Sequence, residues 1–364
     1  MVDENKNVGD EDLDVEPESE EDEGPITYDI VSYPSDLTLN GINELFKNGD
    51  LIISADFQRN FVWNMKQASL LIDSFLLGLP VPQVFFYIDE SNKNIVIDGQ
   101  QRIMSIVYFL DGHFGSESIQ GKQTVFRLQG LDEKSQFADK RFDELSEEYQ
   151  RKLKSAVLRA INIRQLNPKN ETTSIYHIFE RLNTGGTPLK PQEIRNCIYR
   201  GNFSQRLRDL NKDKNWRLIM GKDTLDKHQK DIELLLRIFA FTYYFKDYEK
   251  PMKDFLSSAM SSNKTGDTDD VNNFVDRFPR VAKLIIESWG NKPFHIRGPL
   301  NSSALDSVFA TMMHSEHIAT EDLSSRYSKL KDDNNFVLGT SYGTSDVTSV
   351  NKRFQAAQHH LLDK

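Results

Sequence analysis

Apolar and polar positions in the first half of the chain follow two different periods. Short apolar runs at 51–53, 84–88 and 95–97, each bounded by turn-forming residues, predict buried strands. Apolar residues spaced three and four apart predict helices over 39–47 and 65–77. The same patterns predict an extended segment at 26–39, strands at 124–128 and 156–163, and helices at 145–154 and 171–182.

A further helix is predicted from Pro191 to Gly201, since proline suits the first position of a helix, where its missing N–H has no partner. From Asn202 onward the helical period dominates. The pattern therefore predicts an α+β fold in two parts, a mixed domain at 25–200 and an all-helical domain at 201–364. The helices predicted in the second part cover about 229–245, 252–260, 274–289, 305–314 and 348–362.

The stretch 95–112 joins a predicted strand to a predicted helix through a sharp polar turn. Three β-branched residues lead into Asp98 and Gly99, and apolar residues at helical spacing follow Arg102. At such a junction the first N–H groups of the helix lack intrahelical acceptors, and the helix dipole is positive. We therefore expect the turn to hold an anion such as a phosphate.

Each residue of this turn adds a chemical capacity. Gly99 permits a tight turn and close approach of a ligand, and the amides of Gln100 and Gln101 can donate to oxygen acceptors. Arg102 carries a planar donor fork suited to phosphate, and Asp98 could orient that fork or hold a metal-bound water. The residues alone leave open a purely structural alternative, in which Arg102 pairs with Asp98 on the surface.

Two other polar stretches are candidates for related chemistry. Gln58 and Arg59 lie between aromatic residues, where the cation either stacks on the rings or reaches a ligand. The stretch from Asn183 to Gly186 follows a predicted helix, and its two glycines favour either an anion-binding nest or an ordinary inter-helix turn. The glycine-rich stretch does not have Walker or Rossmann spacing, and the histidines show no zincin spacing, so no protein metal site is predicted.

Charge is distributed unevenly along the chain. Residues 1–24 carry twelve acidic side chains and one lysine, a net −11, so the net charge of −10 leaves +1 for the remainder. Such a segment is typical of a disordered, solubilising tail, and an autoinhibitory arm over a basic groove is the alternative. Cys197 is the single cysteine, which excludes disulfide scaffolds. With no secretory or membrane-spanning segment evident, we expect a cytoplasmic protein that does not contact a membrane.

Four stretches, taken together, resemble the N-terminal domain of GmrSD-type modification-dependent restriction systems, which has a ParB/sulfiredoxin-like fold. The family's hallmark is the run Asp98-Gly99-Gln100-Gln101-Arg102, and all four stretches occur in the family's order. The resemblance covers about residues 35–200 specifically and the helical part more weakly. The four stretches are 57–63, 71–82, 97–102 and 179–189.

The resemblance implies a site for a nucleoside triphosphate, ATP or GTP, with hydrolysis in some members and Mg²⁺ as an accompanying ion. It also implies work on DNA, often as defence against phage, with a separately encoded nuclease or defence protein as a partner. The residues it assigns are Asp98, Gln101 and Arg102 to catalysis, Gly99 and Gln100 to nucleotide binding, Gln58 and Arg59 to a second wall, and Asn183 with Glu193 as additions.

Full-length restriction members add a His-Asn-His nuclease domain with a His-Ile-x-Pro motif. Here the closest stretch, 295–299, has a different proline spacing, and no Gly-Asn-Leu follows, so we expect no such nuclease. Three hypotheses follow. The chain is a nucleotide-binding, NTP-hydrolysing protein associated with DNA; or a Mg²⁺-dependent DNA nickase using the same groups; or a non-enzymatic interaction module whose acidic tail covers a DNA surface.

Overall fold

The computed structural model describes residues 13–16, 29–53, 61–89, 91–115, 124–132, 134–167, 178, 182, 190–315 and 321–362. They belong to two units. The first is Thr27–Leu189, and the second joins Lys190–Lys364 with the N-terminal segment Met1–Ile26. The units divide between Leu189 and Lys190, so the helix that begins at Pro191 is part of the second unit.

A five-stranded mixed sheet is the centre of the first unit. Its described strands are β1 (Asp29–Thr38), β2 (Leu51–Ile52), β3 (Val84–Ile88), β4 (Asn94–Asp98) and β7 (Val157–Asn167), and β5 (His113–Phe114) and β6 (Thr124–Val125) form a separate pair. The order is β1-β7-β3-β4-β2. β1 and β7 are antiparallel, as are β3 and β4, whereas the β7–β3 and β4–β2 pairs are parallel.

Four helices of this unit are α1 (Leu39–Lys47), α2 (Met65–Leu77), α3 (Gln100–Asp111) and α4 (Glu147–Ser155). α2 shows how the sequence sets helix ends. Asn64 and Gln67 form a reciprocal capping box at its start, and Gly78 ends it in the left-handed conformation. The apolar faces of the helices and the sheet share one core, which includes the fully buried Ile72, Val84, Phe86, Ile103 and Leu153.

The second unit is helical. Its described helices are α5 (Pro191–Ile198), α6 (Asn202–Leu210), α7 (Lys214–Met220), α8 (Lys230–Tyr244), α9 (Met252–Ser262), α10 (Asp269–Trp289), α11 (Ser302–His314), α12 (Leu323–Asp332), α13 (Asn334–Gly339) and α14 (Val347–Leu361). α11 is buried along all of its length except His314, because α8 and α14 pack against it. It is the central helix of this unit.

Buried ion pairs join these helices. Arg217 of α7 donates to Asp231 of α8 at 2.8 Å. Asp306 of α11 accepts from Arg237 of α8 at 2.7 Å and from Arg353 of α14 at 3.2 Å. All five side chains are at least nine-tenths buried. Removing one partner of such a pair typically costs about 3–5 kcal/mol because the other charge stays buried, so these pairs fix the helix arrangement.

The α+β class with a helical second part is confirmed, and α1, α2 and β3 have the predicted bounds. The strand predicted at 124–128 is shorter, since only Thr124–Val125 pairs with a neighbour. The helix predicted at 171–182 lies outside the described residues except for Ile178 and Leu182, and so does most of the acidic segment. Within the described ranges, no helix has the length and apolar composition needed to cross a membrane.

Candidate functional site

The predicted strand, turn and helix at 95–112 are confirmed as β4, Gly99 and α3. Gly99 has a φ of +94°, a region that L side chains rarely adopt. A Cβ atom added to Gly99 would lie 2.2 Å from Cγ1 of Val84 on the neighbouring strand. The turn therefore requires glycine for two reasons, its backbone conformation and its close contact with β3.

The start of α3 offers its backbone N–H groups without a side-chain cap. Gly99 occupies the N-cap position, where it has no side chain to accept a hydrogen bond, and the first turn contains no acidic residue. The first main-chain bond runs from Ile103 N to the carbonyl of Gly99 at 2.9 Å. The N–H groups of residues 100–102 precede that bond and lie at the positive end of the helix, which is the arrangement that binds anions.

β4 contains a bulge just before this turn. Phe85 pairs with Asp98, whereas Phe86 pairs with Val96, so β4 has one residue more than β3 at this point. The extra residue, Ile97, is buried. Bulges re-aim the side chains that follow them and are frequent next to binding sites, and Asp98 is the residue that follows this one.

Asp98 and Arg102 form an ion pair across the turn. Nη2 of Arg102 donates to Oδ2 of Asp98 at 2.5 Å, and the two side chains are 16% and 26% exposed, respectively. The same Nη2 would lie 3.2 Å from a Cβ on Gly99, so the guanidinium group is directly beside the turn. Of the two roles considered for Asp98, the geometry supports orienting Arg102. This bond uses one of the five N–H donors of the guanidinium group. The group itself stays beside the start of α3.

Gln100 is directed back into the fold. Its side chain is 7% exposed, and its Nε2 donates to the carbonyl of Val96 at 3.4 Å. Its Oε1 is buried without a hydrogen-bond partner among the described residues. This geometry supports a role in fixing the start of α3 to β4.

Gln101 links the helix start to a segment that precedes α2. Its Oε1 accepts the backbone N–H of Trp63 at 3.2 Å, and its own carbonyl accepts the hydroxyl of Ser105 at 2.8 Å. Trp63 belongs to the aromatic stretch that follows Gln58 and Arg59 in the sequence. The described part of that stretch is therefore attached to the turn by a side chain of the hallmark motif.

Aromatic rings support this attachment. Phe61 meets Tyr108 of α3 edge to face at 5.3 Å between ring centroids, and Phe114 at 5.5 Å. Burial raises the pKa of the Tyr108 hydroxyl, as expected for a ring in a partly desolvated cluster. The stretch beginning at Phe61 is thus held to α3 by ring contacts as well as by Gln101.

Three predicted site residues, Gln58, Arg59 and Asn183, lie outside the described residues. Glu193 is on α5 of the helical unit, where its Oε2 accepts the N–H of Lys190 at 2.7 Å and lies 3.7 Å from Nδ1 of His228. Across the described part of the chain, no three His, Cys, Asp or Glu side chains are grouped so that they could hold a metal ion.

Sequence reasoning missed three features of the turn. These are the contact of Val84 with Gly99, the bulge at Ile97 and the bond from Trp63 to Gln101. Each joins segments that are distant in the chain or depends on strand register. The strand at 84–88 and the aromatic stretch were visible in the sequence, but nothing local indicated which residues they would meet.

Comparison with known proteins identifies the part of the chain that contains this site. Residues 42–200 match the family described as the GmrSD restriction endonuclease, N-terminal domain. The match begins within α1 and ends just after α5, and it includes the whole turn from Asp98 to Arg102. None of the curated proteins matches the chain.

Proposed function

From the match of residues 42–200 to the GmrSD N-terminal family, we propose that this chain is a cytosolic component of a restriction or phage-defence system that binds a nucleoside triphosphate. The observation that carries the proposal is the turn at Asp98–Arg102. There a helix start without a side-chain cap lies beside a guanidinium group, at a glycine whose backbone conformation and contact with Val84 leave no room for another residue. Backbone donors, the positive helix end and an arginine fork together suit phosphate groups.

In this proposal the N–H groups at the start of α3 hold phosphate oxygens of ATP or GTP, and Arg102 offsets their charge. Asp98 is a positioning residue that orients Arg102 through their 2.5 Å bond. Gln101 acts through its side-chain N–H₂ group, because its side-chain oxygen, Oε1, accepts the backbone N–H of Trp63. Gln58 and Arg59 supply the second wall, and Asn183 is an additional contact.

Mg²⁺ would accompany the nucleotide. This ion commonly keeps phosphate and water ligands and takes only one or two carboxylates from the protein. Besides orienting Arg102 through Oδ2, Asp98 would supply a single carboxylate ligand through its other oxygen, and the described residues contain no group of three or more His, Cys, Asp or Glu side chains that could hold a metal ion. When bound, the ion offsets phosphate charge. If the nucleotide is hydrolysed, the chain's own contribution is positioning and electrostatic stabilisation.

The experiment is a binding and turnover panel with ATP and GTP on the purified protein, with and without DNA. Arg102→Ala should weaken nucleotide binding by about 10- to 150-fold, the range for losing a charged hydrogen bond of about 1.5–3 kcal/mol. Its thermal midpoint should change less than its nucleotide affinity, because the pair with Asp98 is not fully buried and exposed pairs contribute only about 0–1 kcal/mol. Arg159→Ala is the matched control, since it breaks an exposed ion pair with Asp36 in the same unit.

The results of these assays test the role of Arg102 and distinguish nucleotide binding from the two alternative functions. Equal losses of binding and stability in Arg102→Ala would make the arginine structural. Mg²⁺-dependent plasmid nicking without nucleotide, lost in Asp98→Ala, would replace the proposal with a metal-dependent nickase. Binding of DNA with a steep salt dependence, but no binding of nucleotide, would leave a non-enzymatic interaction module.

A further inference from the structure

A short piece of the acidic N-terminal segment lies as a strand along Leu300, within the helical unit. Val15 pairs with Leu300 in a parallel bridge. Leu300 N donates to the carbonyl of Asp14 at 3.1 Å, and Glu16 N donates to the carbonyl of Leu300 at 3.0 Å. Main-chain bonds in both directions are typical of strand addition, in which an extended peptide joins an existing backbone.

The N-terminal end of this piece meets a buried carboxylate. Leu13 N donates to Oδ2 of Asp226 at 2.6 Å, and Asp226 is 6% exposed. The other carboxylate oxygen accepts the N–H groups of His228 and Lys230, each at 3.0 Å. Those two bonds orient the carboxylate at the start of α8 independently of Leu13, so this acceptor is preformed.

The C-terminal end meets two preformed donors. Nε and Nη2 of Arg297 lie 3.5 and 3.3 Å from the two carboxylate oxygens of Glu16. Nδ2 of Asn301 donates to the same carboxylate at 2.5 Å. Arg297 and Asn301 also donate to the carbonyl of Thr340, at 2.7 and 2.9 Å, which holds them in place. Asn301 is 2% exposed and caps α11 through the N–H of Ala304.

We propose that Asp226, Arg297, Leu300 and Asn301, named here the strand-docking site, bind an extended acidic peptide, and that residues 13–16 of this chain are its occupant. The site recognises three things: an N–H at Asp226, a strand backbone at Leu300, and a carboxylate at Arg297 and Asn301. Any peptide with an acidic residue three positions after the one that meets Asp226 satisfies all three.

A nucleic acid fits this site less well than a peptide does. A phosphate could meet Arg297, but the nucleic acid backbone has no N–H to donate to the carbonyl of Leu300. Its negative charge would also face the carboxylate of Asp226, which is repulsive in a partly desolvated site. The order of acceptor, backbone and cation along the site therefore favours an acidic peptide.

The proposal goes beyond nucleotide binding, because it concerns a surface of the helical unit. It also predicts competition within the chain. A tethered segment is present at an effective concentration of the order of millimolar, so a free peptide at micromolar concentration should bind only when the tethered segment is released. The acidic segment would then act as an internal ligand that controls access of other acidic strands.

Glu16→Pro in the full-length chain removes both the N–H donated to Leu300 and the carboxylate held by Arg297, and should empty the site. The probe is a fluorescently labelled peptide of residues 9–20, followed by anisotropy. We expect it to bind the Glu16→Pro chain at least about tenfold more tightly than the unmodified chain. Failure to bind the variant, or equal binding to both chains, would overturn the proposal.

Charge reversal tests the contact itself. In the Glu16→Pro background, Arg297→Glu should abolish peptide binding, and a probe carrying Glu16→Arg should bind that double variant again, which also shows that it is folded. Arg280→Glu, at an exposed arginine of α10, is the matched control and should leave binding unchanged. Two results would refute a peptide-specific site: peptide binding that is unchanged by Arg297→Glu, or displacement of the peptide by an equal concentration of duplex DNA.

Discussion

Gly99→Ala should disturb the turn through two separable effects. The backbone φ of +94° is unfavourable for an L residue, and the new Cβ would lie 2.2 Å from Cγ1 of Val84. Gly112, at the other end of the same helix, has a φ of +80° and nothing within 4 Å of its Cβ position. Gly112→Ala therefore measures the backbone effect alone, and the difference between the two variants measures the collision.

The expected magnitudes differ enough to be resolved. The left-handed conformation costs a non-glycine residue roughly 1–2 kcal/mol, and overpacking a well-packed site costs about 1–3 kcal/mol. Gly112→Ala should then lower stability by about 1–2 kcal/mol and Gly99→Ala by about 2–5 kcal/mol. In a Val84→Ala background the cost of Gly99→Ala should fall most of the way to that of Gly112→Ala. Part of the collision remains, because the Cβ of residue 84 would still lie 2.9 Å from the new Cβ.

The assay must report on this turn, because a chain with two structural units need not unfold in one step. Hydrogen exchange of the amides in 94–111 gives the local opening free energy in each variant. Equal costs for the two glycine variants would show that no collision occurs. A cost of Gly99→Ala that stays unchanged in the Val84→Ala background would show that Val84 is not the obstacle.

Two further predictions concern the surroundings of the turn. Gln101→Leu removes the acceptor of the Trp63 N–H and should cost about 1–3 kcal/mol, measured as faster hydrogen exchange of the Trp63 amide. Gln101→Glu keeps an acceptor and is the control. Burial raises the pKa of Asp73. Above that pKa the charged carboxylate lowers the free energy of unfolding, and this loss of stability disappears as the pH falls below the ordinary carboxyl pKa of about 4. Asp73→Asn should therefore raise the unfolding midpoint at neutral pH and lose this advantage near about pH 3; an equal gain at both pH values would assign the effect to another cause.

The elements that the sequence predicted well are those whose ends carry local signals. α2 begins at a capping box of Asn64 and Gln67 and ends at Gly78, and its bounds were predicted correctly from those residues. Pro191 likewise begins α5. Capping involves residues three or four apart in the chain, so a linear pattern contains all the information that it requires.

Pairings between distant segments could not be predicted in the same way. β1 pairs with β7 through residues such as Asp36 and Arg159, whose side chains lie 2.9 Å apart across 123 positions of sequence. Leu300 pairs with Val15 across an even longer interval. The choice of partner depends on which apolar faces are buried together, and that is a property of the whole chain. For the same reason the polar residues of the turn were predicted, but their contacts with Val84 and Trp63 were not.

α2 precedes β3 and β4 in the sequence and α3 follows them, and the two helices begin differently. This difference supports a binding role for the turn. At the start of α2 the side chain of Asn64 accepts the N–H of Gln67 and the side chain of Gln67 accepts the N–H of Asn64, whereas α3 starts at Gly99 without a side-chain acceptor. Ser, Thr, Asp or Asn at that position would typically stabilise the helix by about 0.5–2 kcal/mol, but a Cβ there would collide with Val84. Local stability is thus given up where Arg102 presents its guanidinium group. Departures from local rules are expected at functional sites. The ion pair with Asp98 and a phosphate-binding role are therefore compatible, because the pair is what keeps the guanidinium group at the uncapped helix start.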